Sequence, residues 1–171
     1  MICLILLIVL FVSGGFTLEC NTINHRQKFK PDIILAQHYC KNVPSNLVID
    51  SLYFVETNYP QEVTIVDSEI PTISNYSSLL NMKYVRKLVL KGLGIRNIIP
   101  GAFRNMNNLQ ELDLSFNQIR ELSGDAFQGL ERLETLHLEG NQLRDDLEEK
   151  RKFLPNLKNL FLSDNPIGAA E

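Results

Sequence analysis

The sequence predicts an α/β solenoid: a horseshoe segment with a short parallel concave sheet, convex loops, one short helix and an N-terminal β-hairpin cap. Three observations predict it. Val85, Leu88 and Leu90 recur as Leu109, Leu112 and Leu114, as Leu133, Leu136 and Leu138, and as Leu157, Leu160 and Leu162, each set 24 residues after the last. Three of these sets continue to an asparagine and an aliphatic residue: Asn117 with Ile119, Asn141 with Leu143, Asn165 with Ile167. The return segments keep the period, with Met82, Met106, Leu130 and Leu154 three residues ahead of each set and Leu79, Phe103, Phe127 and Arg151 six ahead. A fixed period of this size means stacked units, none of which buries its apolar face alone.

The first element reads as a leader. Every residue from Met1 to Val12 is apolar, and Ser13, Gly14 and Gly15 follow. The run is short for a membrane span and stands where a secretory h-region stands, although no lysine or arginine precedes it. Cleavage after Gly15 or Thr17 would remove it, so residues 1–17 are expected to be a signal peptide. The mature chain is then secreted and extracellular, with no membrane span, because no second such run follows.

Cys3 departs with the leader and leaves Cys20 and Cys40 as an even pair in an oxidising compartment. A bridge between them would close a loop of about 20 residues, worth roughly 3 kcal/mol. Two free thiols, or a zinc site with His25 and His38, are the other readings, but the spacing fits no usual ligand pattern. Residues 18–59 lack the repeat and are expected to form a disulfide-pinned cap. Leu52 with Phe54, and Val63 with Ile65, read as two strand-like runs around the turn-rich residues 56–60, predicting a hairpin that covers the end of the solenoid.

Repeats fill residues 60–171: one degenerate coil around Val63, Ile65, Ser68 and Ile70, then four more. In each strand leucines alternate with polar residues, as Leu112 and Leu114 do with Asp113 and Ser115, sending leucines inward. Asn117, Asn141 and Asn165 are expected to form a structural ladder whose amides bond backbone groups of adjacent coils. Phe103 and Phe127 are expected to stack as a spine on the outer side of the core, a packing role.

Arg151 breaks that spine. From Asp145 to Phe153 acids come first and bases last, which suits a helix dipole, with Glu148 and Lys152 as an i,i+4 pair. Leu147 and Leu154 can share one buried face, so a convex helix is expected here. Its charges are read as a solvated face, not a docking patch. The last repeat is incomplete and carries no cap, which predicts a truncated product, or self-association through the C-terminal edge.

With 171 residues and 44% hydrophobic content, a single domain is expected. The net charge of −3, without a basic cluster, argues against a nucleic-acid partner. A sequon at Asn75 predicts an N-glycan on the return path.

Two stretches carry a family resemblance: Ile98 to Phe103 with Leu109 to Ser115, and Gly124 to Phe127 with Leu136 to Asn141. They resemble the 24-residue repeats of extracellular leucine-rich repeat proteins. Toll-like receptor ectodomains, Slit and small matrix proteoglycans use this variant. The start, from Cys20 to Cys40, is similar to secreted leucine-rich proteins of insect immunity. The resemblance implies non-enzymatic recognition. The chain departs from those families in having few repeats, no C-terminal cysteine cap, no coiled coil and no membrane anchor.

The concave face follows from the register. Thr64, Val89, Asp113, His137 and Phe161 form its central column, with Glu62, Lys87, Glu111, Thr135 and Asn159 two residues earlier. Strands about 4.8 Å apart let Lys87 meet Glu111 and Asp113 meet His137. The Asp113–His137 pair lacks a nucleophile and reads as a cross-strand pair; no catalytic residue, metal or cofactor is indicated. Candidate binding residues are Val89, Lys91, Asp113, Phe116, His137, Glu139 and Phe161. Phe116, in a strand's final turn, either meets a partner or tucks in. The function expected is a secreted recognition module for a protein ligand or receptor. A structural matrix component, or the N-terminal fragment of a larger receptor, is the alternative.

Overall fold

The alternation of leucine with polar residues gives each coil one short strand, and burying the leucines forces those strands side by side. The computed structural model describes residues 5–11, 17–27, 30–42, 61–73, 84–145 and 147–169. Along the chain the strands are β1 (Ile5–Phe11), β2 (Thr17–Gln27), β3 (Lys30–Lys41), β4 (Gln61–Val66), β5 (Thr72–Ile73), β6 (Val85–Val89), β7 (Asn97–Ile98), β8 (Glu111–Asp113), β9 (Thr135–His137) and β10 (Asn159–Phe161). Eight of them form one sheet in the order β1-β2-β3-β4-β6-β8-β9-β10. From β3 onward every pairing is parallel, the expected solenoid arrangement. Behind it, β5 and β7 make a small parallel sheet.

The cap differs from expectation. Its hairpin is β2 with β3, antiparallel, with β1 paired outside β2. Leu52 and Phe54 lie outside the described residues, and both edges of β4 are already taken by β3 and β6. The expected 52–65 hairpin therefore has no free edge to pair with. Instead β3 continues the solenoid: Tyr39 pairs in register with Thr64, and Thr64 with Val89, so each of these two steps is 25 residues. Cys40 is fully buried and disulfide-bonded, and Cys20 is its register partner on β2.

Leu88, Leu109, Leu112, Leu114, Leu133, Leu136 and Leu138 are completely buried, as are Phe103, Met106, Phe127 and Leu130. At roughly 25 cal/mol per Å² of apolar area, these columns are the main source of stability. Leu79, Met82 and the sequon at Asn75 lie outside the described residues.

The asparagines do what their chemistry suggests. Asn117 Oδ1 accepts from the amides of Leu93 and Ile95 at 2.9 and 3.1 Å, while its Nδ2 donates to the carbonyls of Leu90 and Leu114 at 2.9 Å each. Asn141 repeats the pattern with Ile119, Leu114 and Leu138. Asn165 repeats it with Leu143, Leu138 and Leu162. Each side chain thus ties two coils, so no polar group at the turn is orphaned.

On the convex side, residues Glu148–Phe153 form a 3-10 helix, tighter than an α-helix, with no side-chain cap at Leu147. The buried Leu147 and Leu154 pin both ends of the arc, which leaves room for one short tight segment. Arg151 is exposed, and the partly buried Phe153 packs against the core. β10 pairs on one side only among the described residues, and Leu157, Leu160 and Leu162 are only partly buried.

Candidate partner-binding face

Parallel pairing stacks equivalent residues, so each concave position becomes a column crossing the strands. The central column runs Tyr39, Thr64, Val89, Asp113, His137 and Phe161. The column two residues earlier is laced by polar pairs: Gln37 donates to Glu62 at 2.8 Å, Lys87 meets Glu111 at 2.7 Å, and Asn159 donates to Thr135 at 3.2 Å. The hydrogen bond to Glu111, with the further acids Glu62 and Asp113, raises the Lys87 pKa against the opposing effect of burial. More than a third of that side chain is exposed, so solvent screening keeps the pair's stabilising effect small.

The second cross-strand pair does not form as the sequence suggests. Asp113 Oδ1 accepts from the amide and hydroxyl of Ser115, at 2.9 and 2.6 Å. His137 turns along its own strand, Nδ1 lying 3.1 Å from Glu139 Oε1, and its ring stacks on Phe161 with centroids 4.6 Å apart and planes 7° off parallel. Local partners two residues away on the same face outcompete the neighbour across the ladder. The other carboxylate oxygen of Glu139, Oε2, is buried without a hydrogen-bond partner.

A further column borders this face. Asn42, Asp67, Gly92, Phe116, Gly140 and Asp164 occupy one equivalent position in successive coils, and all have positive φ, from 48 to 69°. Bonds to the next coil hold them there: Asn42 N to Asp67 O, Gly92 N to Ser115 O, Phe116 N to Glu139 O, Gly140 N to Ser163 O. Glycine, asparagine and aspartate tolerate this left-handed conformation, whereas a bulky side chain is strained in it by about 1–2 kcal/mol. Phe116 is the exception. The residue is 56% exposed, and its ring lies across Gly140, where a Cβ would come within 2.8 Å of it, and has Lys91 Nζ 4.7 Å from its centroid.

Of the expected binding residues, Val89, Asp113, His137, Phe161, Lys91 and Glu139 are brought to one surface, with Phe116 on its rim. Tyr39 and Val66 were missed by sequence reasoning. Both are exposed on the same face, and Tyr39 could have been found by carrying the strand pattern one coil back through Cys40. Away from the face, a cleft lined by Arg120, Glu121, Gln142, Arg144, Asp145 and Pro166 mixes both charges. Among the described residues no group of His, Cys, Asp or Glu is placed to hold a metal ion. No helix among them is long and apolar enough to cross a membrane.

The repeat geometry agrees with family comparison. The leucine rich repeat family matches residues 83–143, and its two-copy form matches residues 131–171. The chain is a leucine-rich repeat protein. Comparison with curated proteins finds no match. Among solved structures it is similar to the APL1 leucine-rich repeat domain, at 25% identity and a TM-score of 0.62, covering 74% of this chain and 34% of that one. It is also similar to TLR13 in its complex with ssRNA13, at 26% identity and a TM-score of 0.64, covering 83% and 19%. The LRIM1/APL1C complex, at 24% identity and a TM-score of 0.61 over 74% and 24%, shares the fold. This leucine-rich repeat protein therefore spans about a third of the APL1 domain and less of the other two. Leucine-rich repeats are typically a protein-interaction scaffold, and here that scaffold presents one continuous concave sheet.

Proposed function

We propose that the chain is a secreted, non-enzymatic recognition module that binds a partner protein on its concave face. One observation carries this reading. Of the five large apolar side chains exposed among the described residues, Tyr39, Val66, Phe116 and Phe161 lie on that face or its rim, and only Ile167 lies elsewhere. Scattered exposure is ordinary, but concentration on one surface marks an interaction site. The resemblance of the repeats to those of secreted insect immune proteins and Toll-type ectodomains supports a role in innate immunity or cell-surface signalling.

A glycan wedge tests the site. His137→Asn with Glu139→Thr writes a sequon into the face, and Asn107→Thr makes Asn105 an acceptor on the convex side. Capture of an extracellular partner by the secreted chain is expected to be abolished by the first glycan and kept with the second. Capture that survives the concave glycan would place the binding surface elsewhere.

The same reading includes removal of residues 1–17 as a leader, a Cys20–Cys40 bridge and a glycan on Asn75. Leader cleavage would take β1 away and leave β2 as the sheet's edge. The buried, disulfide-bonded Cys40 opposite Cys20 supports the bridge. Mass spectrometry of the secreted chain is expected to show the leader gone, no free thiol and a mass lowered by glycosidase. A full-length, reduced chain would sink the secretory reading.

A further inference from the structure

We infer that the surface formed by Phe116, His137, Glu139 and Phe161 takes a basic, apolar segment of a partner protein, an arginine or lysine flanked by an aliphatic or aromatic side chain. The inference rests on the concave-face reading above and names the chemistry of its partner.

Charge points to the partner first. On β8, β9, β10 and the turns that follow them, the charged side chains on the face and its rim are Glu111, Asp113, Glu139 and Asp164, all acids. The cations nearby, Lys87 and Lys91, stand on the preceding coil, one paired with Glu111 and the other over the Phe116 ring. Acids outnumber cations on this part of the face, and an excess of one sign steers and selects a segment of the other. The same acids oppose the phosphate backbone of RNA, which binds through lysine and arginine.

A second observation, independent of net charge, also calls for a cation. Glu139 spends Oε1 on His137 and leaves Oε2 buried with no hydrogen-bond partner. A desolvated carboxylate oxygen without a donor is costly, so turning the side chain outward to meet a guanidinium or ammonium, which supplies strong charge-assisted donors, is favoured over leaving that oxygen buried. The stacked His137 and Phe161 rings lie beside it and offer aromatic area to the same incoming group.

Strain at Phe116 completes the argument. Five coils fill the left-handed position with glycine, asparagine or aspartate, and this coil fills it with a phenylalanine that stays 56% exposed. A residue held in an unfavourable conformation while burying little is weakly explained by stability and well explained by recognition. Lys91 and Gly140 hold the ring from two sides, so it is presented already ordered, with little entropy left to lose on binding.

Phage-displayed random peptides panned against the immobilised mature chain, with a single-stranded RNA oligonucleotide as a parallel probe, test this. The expected result is enrichment of sequences that place arginine or lysine beside leucine or phenylalanine, with no RNA bound on this face. Phe116→Gly and Glu139→Gln are each expected to weaken the best peptide about tenfold or more, as central contacts do. Phe116→Gly relieves the left-handed strain while giving up the ring contacts and the restriction of the unfolded chain, so its denaturation midpoint is expected to stay close to the parent's. Weaker binding in a chain that melts as before separates recognition from folding. Selection of acidic peptides, no selection at all, RNA binding that the peptides displace, or indifference to both substitutions each overturns the inference. Acidic peptides blocked by the concave glycan would leave the face reading standing and remove only this one, whereas indifference to that glycan removes both.

Discussion

Phe127→Ala is expected to lower unfolding stability by about 3–5 kcal/mol, the range for emptying a phenylalanine site in a packed core. The side chain is fully buried, in one apolar cluster with Phe103, Met106, Leu130 and Leu133. Its position makes the loss worse than an average cavity. The equivalent residue one coil later is the exposed Arg151, so the fully buried phenylalanine position is not repeated beyond Phe127, and only the partly buried Phe153 of that coil reaches the core. Coils of a solenoid are stabilised by their neighbours, so a weakened coil uncouples those on either side. Since small domains hold only about 5–15 kcal/mol in total, the variant is expected to unfold partly before the rest of the chain. Urea denaturation followed by circular dichroism checks it. Phe127→Leu is the graded control, expected to cost less than half as much, because most of the apolar volume stays. A midpoint unmoved by Phe127→Ala would mean that the return segments are packed by something else.

What the sequence made legible was whatever repeats. Leucine columns, asparagines and phenylalanines each serve one coil in the same way, so their spacing alone reports their role, and the structure places them accordingly. The Lys87–Glu111 pair was legible for the same reason, since register fixes which residues stand opposite each other.

Features that depend on competition between partners were not legible. Asp113 and His137 stand opposite each other, yet Ser115 captures one and Glu139 the other, and no spacing rule ranks those choices. Which strands form the N-terminal hairpin was illegible for a related reason. Alternation identified strand-like residues around Val63, but pairing is decided by which edge is free, and β3 occupies that edge of β4. The left-handed column was half legible. Gly92 and Gly140 invite it, whereas Phe116 is driven into it by its bond to Glu139 O, a tertiary constraint invisible in local sequence. Phe116 and Glu139 were named from the sequence as face residues, but the left-handed conformation of one and the pairing of the other, on which the proposed specificity depends, were not readable there. Local rules fail most informatively at functional positions.

Gly129→Ala is expected to be the most damaging glycine-to-alanine change among the described residues, costing on the order of 2–6 kcal/mol from backbone strain and forced overpacking together. Gly129 has φ +98°, outside even the left-handed well that asparagine tolerates. A Cβ there would sit 2.5 Å from Arg104 Cα and 2.6 Å from its carbonyl oxygen, both backbone atoms of the previous coil. Flexible side chains can move aside; this backbone cannot move cheaply. Arg104 N is bonded to Gly101 O, and Gly101 N reaches across to Asp125 O, which ties the two convex turns together. Pushing the turns apart would also loosen the packing around the fully buried Phe103 and Phe127, so one methyl group would open the core from outside. Gly124→Ala provides the matched control in the same turn. Its φ is not positive, and no atom lies within 4 Å of where the added methyl would stand, so it is expected to be neutral or to stabilise by about 0.4–1 kcal/mol through the unfolded chain. Denaturation curves of the two alanine variants, measured side by side, decide the point. Equal midpoints would show that adjacent convex turns are not in contact at Gly129, and the close stacking of the return segments would have to be abandoned.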